Sequence, residues 1–390
     1  MNIPKLRFKD NNGNDYPQWE KKLIKDILKI YHGKDYKNEP NEKKLYPVLG
    51  TGGIITYIDK FLCDWECVLI GRKGTINKPQ YMKTPFWSVD TLFYSKPKLK
   101  QNPKFQYYLF QNINWKIYDE STGVPSLSAS TIEHINRFIP TYAEQEKIAS
   151  FFSTIDKKIE NLTNTITSLE NQKKGLLQQI FSQKLRFKDE NGNNYPNWEK
   201  KKLGDIATLK NGISKSNEAF GHGKKFINLQ DIFNKSYIFN GNYSLVDVTE
   251  KELSENNLLK GDVLFVRSSV KREGVGLPCV IMENLIDTVY SGFIIRCRFN
   301  INENIYLHYK KYCFLEFSFR KALLKKSSSS ANTNINQDNL SKLYVKLPCL
   351  EEQTKIADFL SAFDRKLENQ KAQLEHWKQI KKGLLQQMFV

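Results

Sequence analysis

The sequence predicts an α+β protein. It has two α/β domains joined by two long antiparallel coiled-coil helices, with a pseudo-two-fold that comes from internal duplication. Two repeats and one periodicity predict it. Residues 139–182 return as residues 347–390 at an offset of 208, with 20 of 44 positions identical and no gap. Residues 5–27 return as residues 184–206 at an offset of 179, with 17 of 23 identical. A period this long marks a duplicated unit, not a solenoid repeat. Within the longer repeat, apolar residues recur every seven positions.

That periodicity builds two seams on each copy. In the first copy, Ile148, Ile155, Leu162, Leu169 and Leu176 form one seam, and Phe152, Ile159, Ile166 and Ile180 form the other, with Lys173 as its polar member. In the second copy they are Ile356, Phe363, Gln370, Trp377 and Leu384, beside Leu360, Leu367, Leu374, Lys381 and Met388. Five heptads with two seams argue for a coiled coil. Pro140 and Pro348 precede the runs, where proline is tolerated, and none interrupts them. Residues 144–181 make 38 residues, a rod of ~57 Å at ~1.5 Å per residue. Each helix needs a cover for its apolar stripe, and the other copy is the obvious one. Lys173 and Lys381 hold equivalent seam positions, where they either fix register or snorkel to water. Gly175 and Gly383 also coincide. Each costs a helix roughly 1 kcal/mol, so their recurrence reflects a close helix contact or shared ancestry.

The domains are expected at residues 1–143 and 183–350, with the helices at 144–182 and 351–390. Aromatic residues make up 13% of the chain, enough for real cores. The net charge of +18, from 60 Lys and Arg against 42 Asp and Glu, favours a polyanionic partner, most simply nucleic acid. An AT-biased genome that enriches lysine accounts for part of that excess. Each short repeat carries an Asn-Gly turn signal, NNGNDY and ENGNNY. Trp19 and Trp198 follow at matching places as packing anchors.

Between the repeats the two halves differ, at residues 28–138 and 207–346. Constant ends with divergent middles suggest one scaffold carrying two readers. In the first middle, residues 68–70 and 86–93 read as strands and 104–113 as a helix. The Gly-rich loop after the first strand presents Arg72, Lys73, Thr75 and Lys78. Phosphates take cations and backbone amides, and guanine takes a bidentate arginine. The loop is equally the composition of an ordinary hairpin, and it lacks the Walker pattern. In the second middle, residues 261–267 read as a strand ending in Arg267, and the polar loop after it presents Ser268, Lys271 and Arg272. Residues 291–299 read as a strand, 304–326 as mostly helix, 327–336 as a polar loop and 343–347 as a strand. The polar loop has its counterpart at 121–128; each is a DNA-proximal donor loop or a solvated connector.

Catalytic signatures are missing. There is no Asn-Pro-Pro-aromatic or Asp-Pro-Pro-aromatic tetrapeptide, no helicase box and no metal-type histidine spacing among five histidines. Six cysteines show no CxxC and read as reduced structural thiols, with zinc the alternative. The N-terminus lacks a signal-peptide apolar run, and no stretch approaches ~18 apolar residues. A cytoplasmic, non-catalytic binder is expected.

Three features together carry a family resemblance. They are the Trp block before each middle, the P-x-x-x-EQ-x-x-IA opening of each long helix (Pro140, Glu144, Gln145, Ile148, Ala149; Pro348, Glu352, Gln353, Ile356, Ala357), and the KKGLLQQ ends. Over essentially the whole chain this resembles the specificity (S) subunit of type I restriction–modification systems. The resemblance implies two target-recognition domains, each reading half of a bipartite double-stranded DNA sequence. It implies two modification (M) subunits that bind S-adenosylmethionine and methylate adenine N6. Two restriction (R) subunits would use ATP and Mg, and no cofactor would be bound by this chain. Rods of ~57 Å against a DNA repeat of ~34–36 Å imply separated half-sites. The competing readings are a coiled-coil scaffold with non-specific DNA binding, and a nuclease with an unrecognised site.

Overall fold

A computed structural model describes residues 4–329 and 331–389. The chain divides into two compact units: Met1–Thr165 with Gln370–Val390, and Ile166–Asn369.

In the first unit β1 (Glu20–Leu23) turns through α1 (Ile24–Ile27) into β2 (Leu28–Tyr31). There follow β3 (Tyr46–Gly50), β4 (Gly53–Ile58), β5 (Cys67–Gly71), β6 (Gln80–Met82), β7 (Trp87–Ser88) and β8 (Leu92–Pro97). Next come α2 (Pro103–Asn112), α3 (Ala129–Glu133), β9 (Asn136–Ile139) and the long α4 (Tyr142–Phe181). The sheets are β1-β9, β2-β8-β5-β6 and β4-β3-β7, with β3 and β7 parallel. β5 is CVLIG and is buried at every position, as a strand covered on both faces must be. The Asn102 side chain caps α2 by accepting from the Phe105 amide, with Pro103 in the first turn.

The second unit starts its own β10 (Glu199–Lys202), α5 (Leu203–Ile206) and β11 (Ala207–Asn211). Then come β12 (Phe220–Ile227), α6 (Leu229–Ile232), β13 (Tyr237–Ile238), β14 (Ser244–Val246), α7 (Glu250–Glu255), β15 (Val263–Val266) and β16 (Ser268–Ser269). β17 (Pro278–Ile281), β18 (Thr288–Tyr290), β19 (Ile294–Phe299), α8 (Tyr309–Leu315) and α9 (Phe317–Lys326) follow. The last elements are β20 (Ser328–Ser329), β21 (Thr333–Asn334), α10 (Gln337–Ser341), β22 (Tyr344–Leu347) and the long α11 (Leu350–Met388). Its sheets are β10-β22, β11-β19-β15-β17-β13, β14-β12-β18 and β16-β21-β20.

The two middles, unlike in sequence, build the same frame. β2-β8-β5-β6 corresponds to β11-β19-β15-β17, and the parallel pair β3-β7 corresponds to β12-β18. The additions in the second unit are α6, β13, α7, α9 and the small sheet β16-β21-β20.

Several expectations need correction. The strand expected at 86–93 is two strands, β7 and β8, broken by a turn in which the Leu92 amide donates to the Val89 carbonyl. The helix expected at 304–326 is two, because buried Glu316 breaks the run and caps α9 through the Ser318 and Phe319 amides. The polar loop at 327–336 carries β20 and β21; its Ser330 lies outside the described residues. At Gly175 and Gly383 an added Cβ would meet nothing within 4 Å, so no close helix contact explains them.

Each unit's core takes in the start of one long helix and the end of the other. In the first unit Ile148, Phe152 and Ile155 join Leu385, Met388 and Phe389. In the second, Ile356 and Leu360 join Ile180 and Phe181. Leu162, Ile166, Leu169 and Leu367 are also buried; Ile159, Leu176, Phe363, Leu374, Trp377 and Leu384 are half-buried.

Candidate DNA-reading surface

The arginine-bearing loops stand on a frame whose anchor is a buried carboxylate at the start of each long helix. Glu144 is fully buried. It accepts from Arg7 Nε at 2.9 Å, Arg7 Nη2 at 2.8 Å and Trp19 Nε1 at 3.1 Å. Glu352 is equally buried and accepts from Arg186 at 3.1 and 2.7 Å and from Trp198 at 2.8 Å. The carboxylate hydrogen bond pushes both guanidiniums above their ordinary range. A buried charge needs such bidentate pairing. The neighbouring Gln145 accepts from the Asn102 amide and donates to the Pro140 carbonyl. Gln353 accepts from the Tyr306 amide and donates to the Pro348 carbonyl. The Glu-Gln pair therefore ties long helix, short repeat and middle region together.

Phe389 packs on Trp19, with ring centroids 6.3 Å apart, and Phe181 on Trp198, at 5.6 Å. The Leu6 amide donates to the Gln387 carbonyl at 3.1 Å, and the Leu185 amide to the Gln179 carbonyl at 3.1 Å. Trp19 and Trp198 are packing anchors, as expected, and each also donates a hydrogen bond. In the Asn-Gly loops Asp10 and Asp189 accept from two backbone amides each. Gly13 and Gly192 both sit at φ +82° there, which glycine adopts without penalty.

A second node lies twelve residues, about three turns, further along each helix. The Tyr108 hydroxyl donates to Asp156 at 2.7 Å, and Lys381 pairs with the same carboxylate at 2.7 Å. The Tyr312 hydroxyl donates to Asp364 at 2.7 Å, and Lys173 and Lys311 both pair with it. The two seam lysines are thus ion-paired instead of snorkelling to water. Burial works to raise the Asp364 carboxyl, but Lys311 and Lys173 outweigh it and hold it below the usual range. Burial lowers Lys311.

On this frame the arginine loops are built alike. The Arg72 amide donates to the Thr91 carbonyl, its guanidinium to the Asp90 carbonyl at 3.3 Å, and its own carbonyl accepts from the Leu127 amide. The Arg267 amide donates to the Phe293 carbonyl, its guanidinium to the Gly292 carbonyl at 2.9 Å, and its carbonyl accepts from the Ile335 amide. Lys73 bridges to Ser126 as Ser268 pairs with Asn334. The loop beneath lies hard against backbone: a Cβ on Gly33 would stand 2.0 Å from the Val89 carbonyl oxygen, and on Gly212 2.0 Å from that of Tyr290. Both positions require glycine.

Lys73, Lys78, Lys271 and Arg272 are exposed, and Arg72, Thr75 and Arg267 are half-buried. Ser268 is buried within β16. The polar loops at 121–128 and 327–336 lie beside the arginine loops through these pairings. The sequence reading missed Asp156, Asp364, Phe181 and Phe389, and the hydrogen-bonding role of Glu144 and Glu352. All six recur at the offset of 208, which was the available signal.

Known proteins resemble this chain in sequence and in fold. The family model for the type I restriction modification DNA specificity domain matches residues 16–171 and 195–376. The chain belongs to that family, as a type I specificity subunit with the domain present twice. Specificity subunits are the non-catalytic DNA-recognition components of these systems. It is 24% identical over 420 residues to the Type I restriction enzyme MjaVIII specificity subunit of Methanocaldococcus jannaschii, covering 97% of this chain and 94% of that one. It is 25% identical over 174 residues to the EcoprrI specificity subunit of Escherichia coli, covering 43% and 41%. The crystal structure of an S subunit from M. genitalium matches with a TM-score of 0.62 at 18% identity, covering 100% of this chain and 99% of that one. A chain from a study of type I R-M complex assembly and conformational transition matches with a TM-score of 0.56 at 14% identity, covering 95% and 97%. Among the described residues no helix is long and apolar enough to cross a membrane.

Proposed function

We propose that the chain reads a bipartite double-stranded DNA target, one half-site per unit, with domains at residues 1–143 and 183–350 as readers. Residues 144–182 and 351–390 pair as an antiparallel coiled coil about a pseudo-two-fold and set the half-site spacing. The observation that carries this is the arginine loop built twice on the same backbone hydrogen bonds. Arg72, Lys73, Thr75 and Lys78 face one half-site; Arg267, Lys271 and Arg272 face the other, while Ser268, buried in its strand, holds that loop to Asn334 instead of facing the DNA. Exposed cations supply phosphate contacts, and an arginine held by one carbonyl keeps further donors for a base edge.

The helix pairing draws support from the seam burial and from the two lysine–aspartate pairs. Lys173 with Asp364 and Lys381 with Asp156 exchange places under the offset of 208. The paired helices position two M subunits, which bind S-adenosylmethionine and methylate adenine N6. Two R subunits bring ATP and Mg, and the assembly works in the cytoplasm where its DNA lies.

Single-molecule sequencing of the host genome with and without the gene tests this reading. Loss of one bipartite N6-methyladenine motif on deletion is expected; an unchanged methylome while the M subunit is expressed would overturn it. Inserting four residues near Asn161 changes the spacer length and leaves both half-sites intact. An unchanged spacer would remove the ruler.

A further inference from the structure

We infer that the second unit recognises a thymine C5-methyl group in its half-site through Phe293 and Val270, and that the first unit has no such contact. This rests on the DNA-reading function proposed above. The backbone frame that aligns Arg72 with Arg267 also aligns the residues around them. Thr91 and Phe293 accept from the two arginine amides, and Asp90 and Gly292 from the guanidiniums. Counting along the loops from the paired Lys73 and Ser268 brings Thr75 opposite Val270. Where the first unit presents Lys73, Thr75, Asp90 and Thr91, the second presents Ser268, Val270, Gly292 and Phe293.

The apolar replacements face water: Val270 is 83% exposed and Phe293 61%. They line a groove of about 430 Å³ whose far wall is Leu229 and Phe233. That wall comes from α6 and the residue after it. The first unit lacks it, since β3 and β4 are joined directly by a tight turn at Thr51 and Gly52. Cations rim the groove: Lys271 lines it, and Arg272 and Arg267 flank it in the chain.

A cation-rimmed surface selects a polyanion, and an apolar floor selects an apolar feature on it. On the major-groove edge of a base pair the only such feature is the thymine methyl group. Burying one methyl group against Phe293 supports roughly a three- to ten-fold preference. Because Phe293 and Val270 are exposed, truncating them leaves the fold intact.

The test uses complexes of the full chain with its M subunit and duplexes carrying the motif found by sequencing, each thymine replaced in turn by deoxyuridine. In the half-site loosened by Arg267→Ala, one replacement is expected to lower wild-type methylation roughly three- to ten-fold. The same replacement should leave Phe293→Ala unchanged, with Val270→Ala between them. The inference falls if that half-site has no T·A pair. It also falls if Phe293→Ala keeps the wild-type uracil penalty, or loses activity equally on all sequences as a general backbone or wedge contact would. In each of those cases a bipartite motif loosened by Arg267→Ala still stands, so the function survives. A wild-type complex that methylates no motif removes both.

Discussion

In the first unit Glu144 accepts from Arg7 and Trp19, and in the second Glu352 accepts from Arg186 and Trp198. At the rims, by contrast, Asp90 and Thr91 correspond to Gly292 and Phe293. The carboxylate anchors repeat bond for bond while the rims exchange charge for apolar surface. A buried bidentate carboxylate tolerates few alternatives, because every lost partner leaves a charge uncompensated. A solvated loop edge tolerates many, because its side chains are not needed by the fold. Two different sets of rim residues can therefore stand on one framework.

The largest way to break the comparison is to remove the anchors. Glu144→Ala and Glu352→Ala should each destabilise the protein by about 3–5 kcal/mol, since each removes the counter-charge of a largely buried guanidinium and the acceptor of an indole N–H. Urea unfolding followed by tryptophan fluorescence measures this, and similar losses are expected. Unequal losses would show that the frames are alike in geometry only.

The aspartate nodes sharpen the comparison. Asp364 holds two lysines and a tyrosine, and Asp156 one lysine and a tyrosine. Asp364→Asn should therefore cost about 2–3 kcal/mol and Asp156→Asn about 1. Folding lowers the proton affinity of Asp364. Its contribution is thus fully present above the ordinary aspartate range of about 4 and is lost as pH falls through the lower folded value. Acid titration of wild type against Asp364→Asn should show the two stabilities converging there. A constant gap would mean the carboxylate charge is unimportant.

Next come the readers. Arg72→Ala and Arg267→Ala should each lose about 1–3 kcal/mol of discrimination at one half-site and leave the other untouched. Methylation of duplexes mutated in one half-site at a time distinguishes them. Loss at both half-sites from one substitution would argue against independent readers.

The smallest effect concerns the helices. An added Cβ at Gly175 or Gly383 meets open space. Either glycine-to-alanine change should therefore stabilise its helix by about 1 kcal/mol. Calorimetry should show a small rise in Tm; a fall would reveal a contact at these positions.

Much of this was legible because covalent repetition is visible without a fold. The two offsets, the heptads and the tryptophan anchors followed from identity and spacing alone. The shared frame of the two middles was not legible. β2 and β11, or β5 and β15, match in hydrogen-bond pattern while their side chains need only be apolar, so sequence identity between them is low. The break at Glu316 was hidden because a buried carboxylate that caps the next turn looks, in sequence, like any helical glutamate. Phe181 and Phe389 read as seam neighbours at helix ends. Their tryptophan partners lie 17 residues downstream of one and in the distant short repeat of the other. The arginine loops were legible as composition, and their equivalence only as backbone geometry.

The pair of hydrogen bonds from Leu6 to Gln387 and from Leu185 to Gln179 has a consequence for connectivity. At one of these junctions the backbone passes from helix end to short repeat within six residues; at the other the same contact is made between residues far apart in the chain. The two junctions are alike in contact and differ only in covalent continuity. A polypeptide reconnected at the second junction and opened at the first would keep both anchors, both nodes and both rims. Covalent order at these junctions is then set by the gene and not by the contacts that hold each unit together.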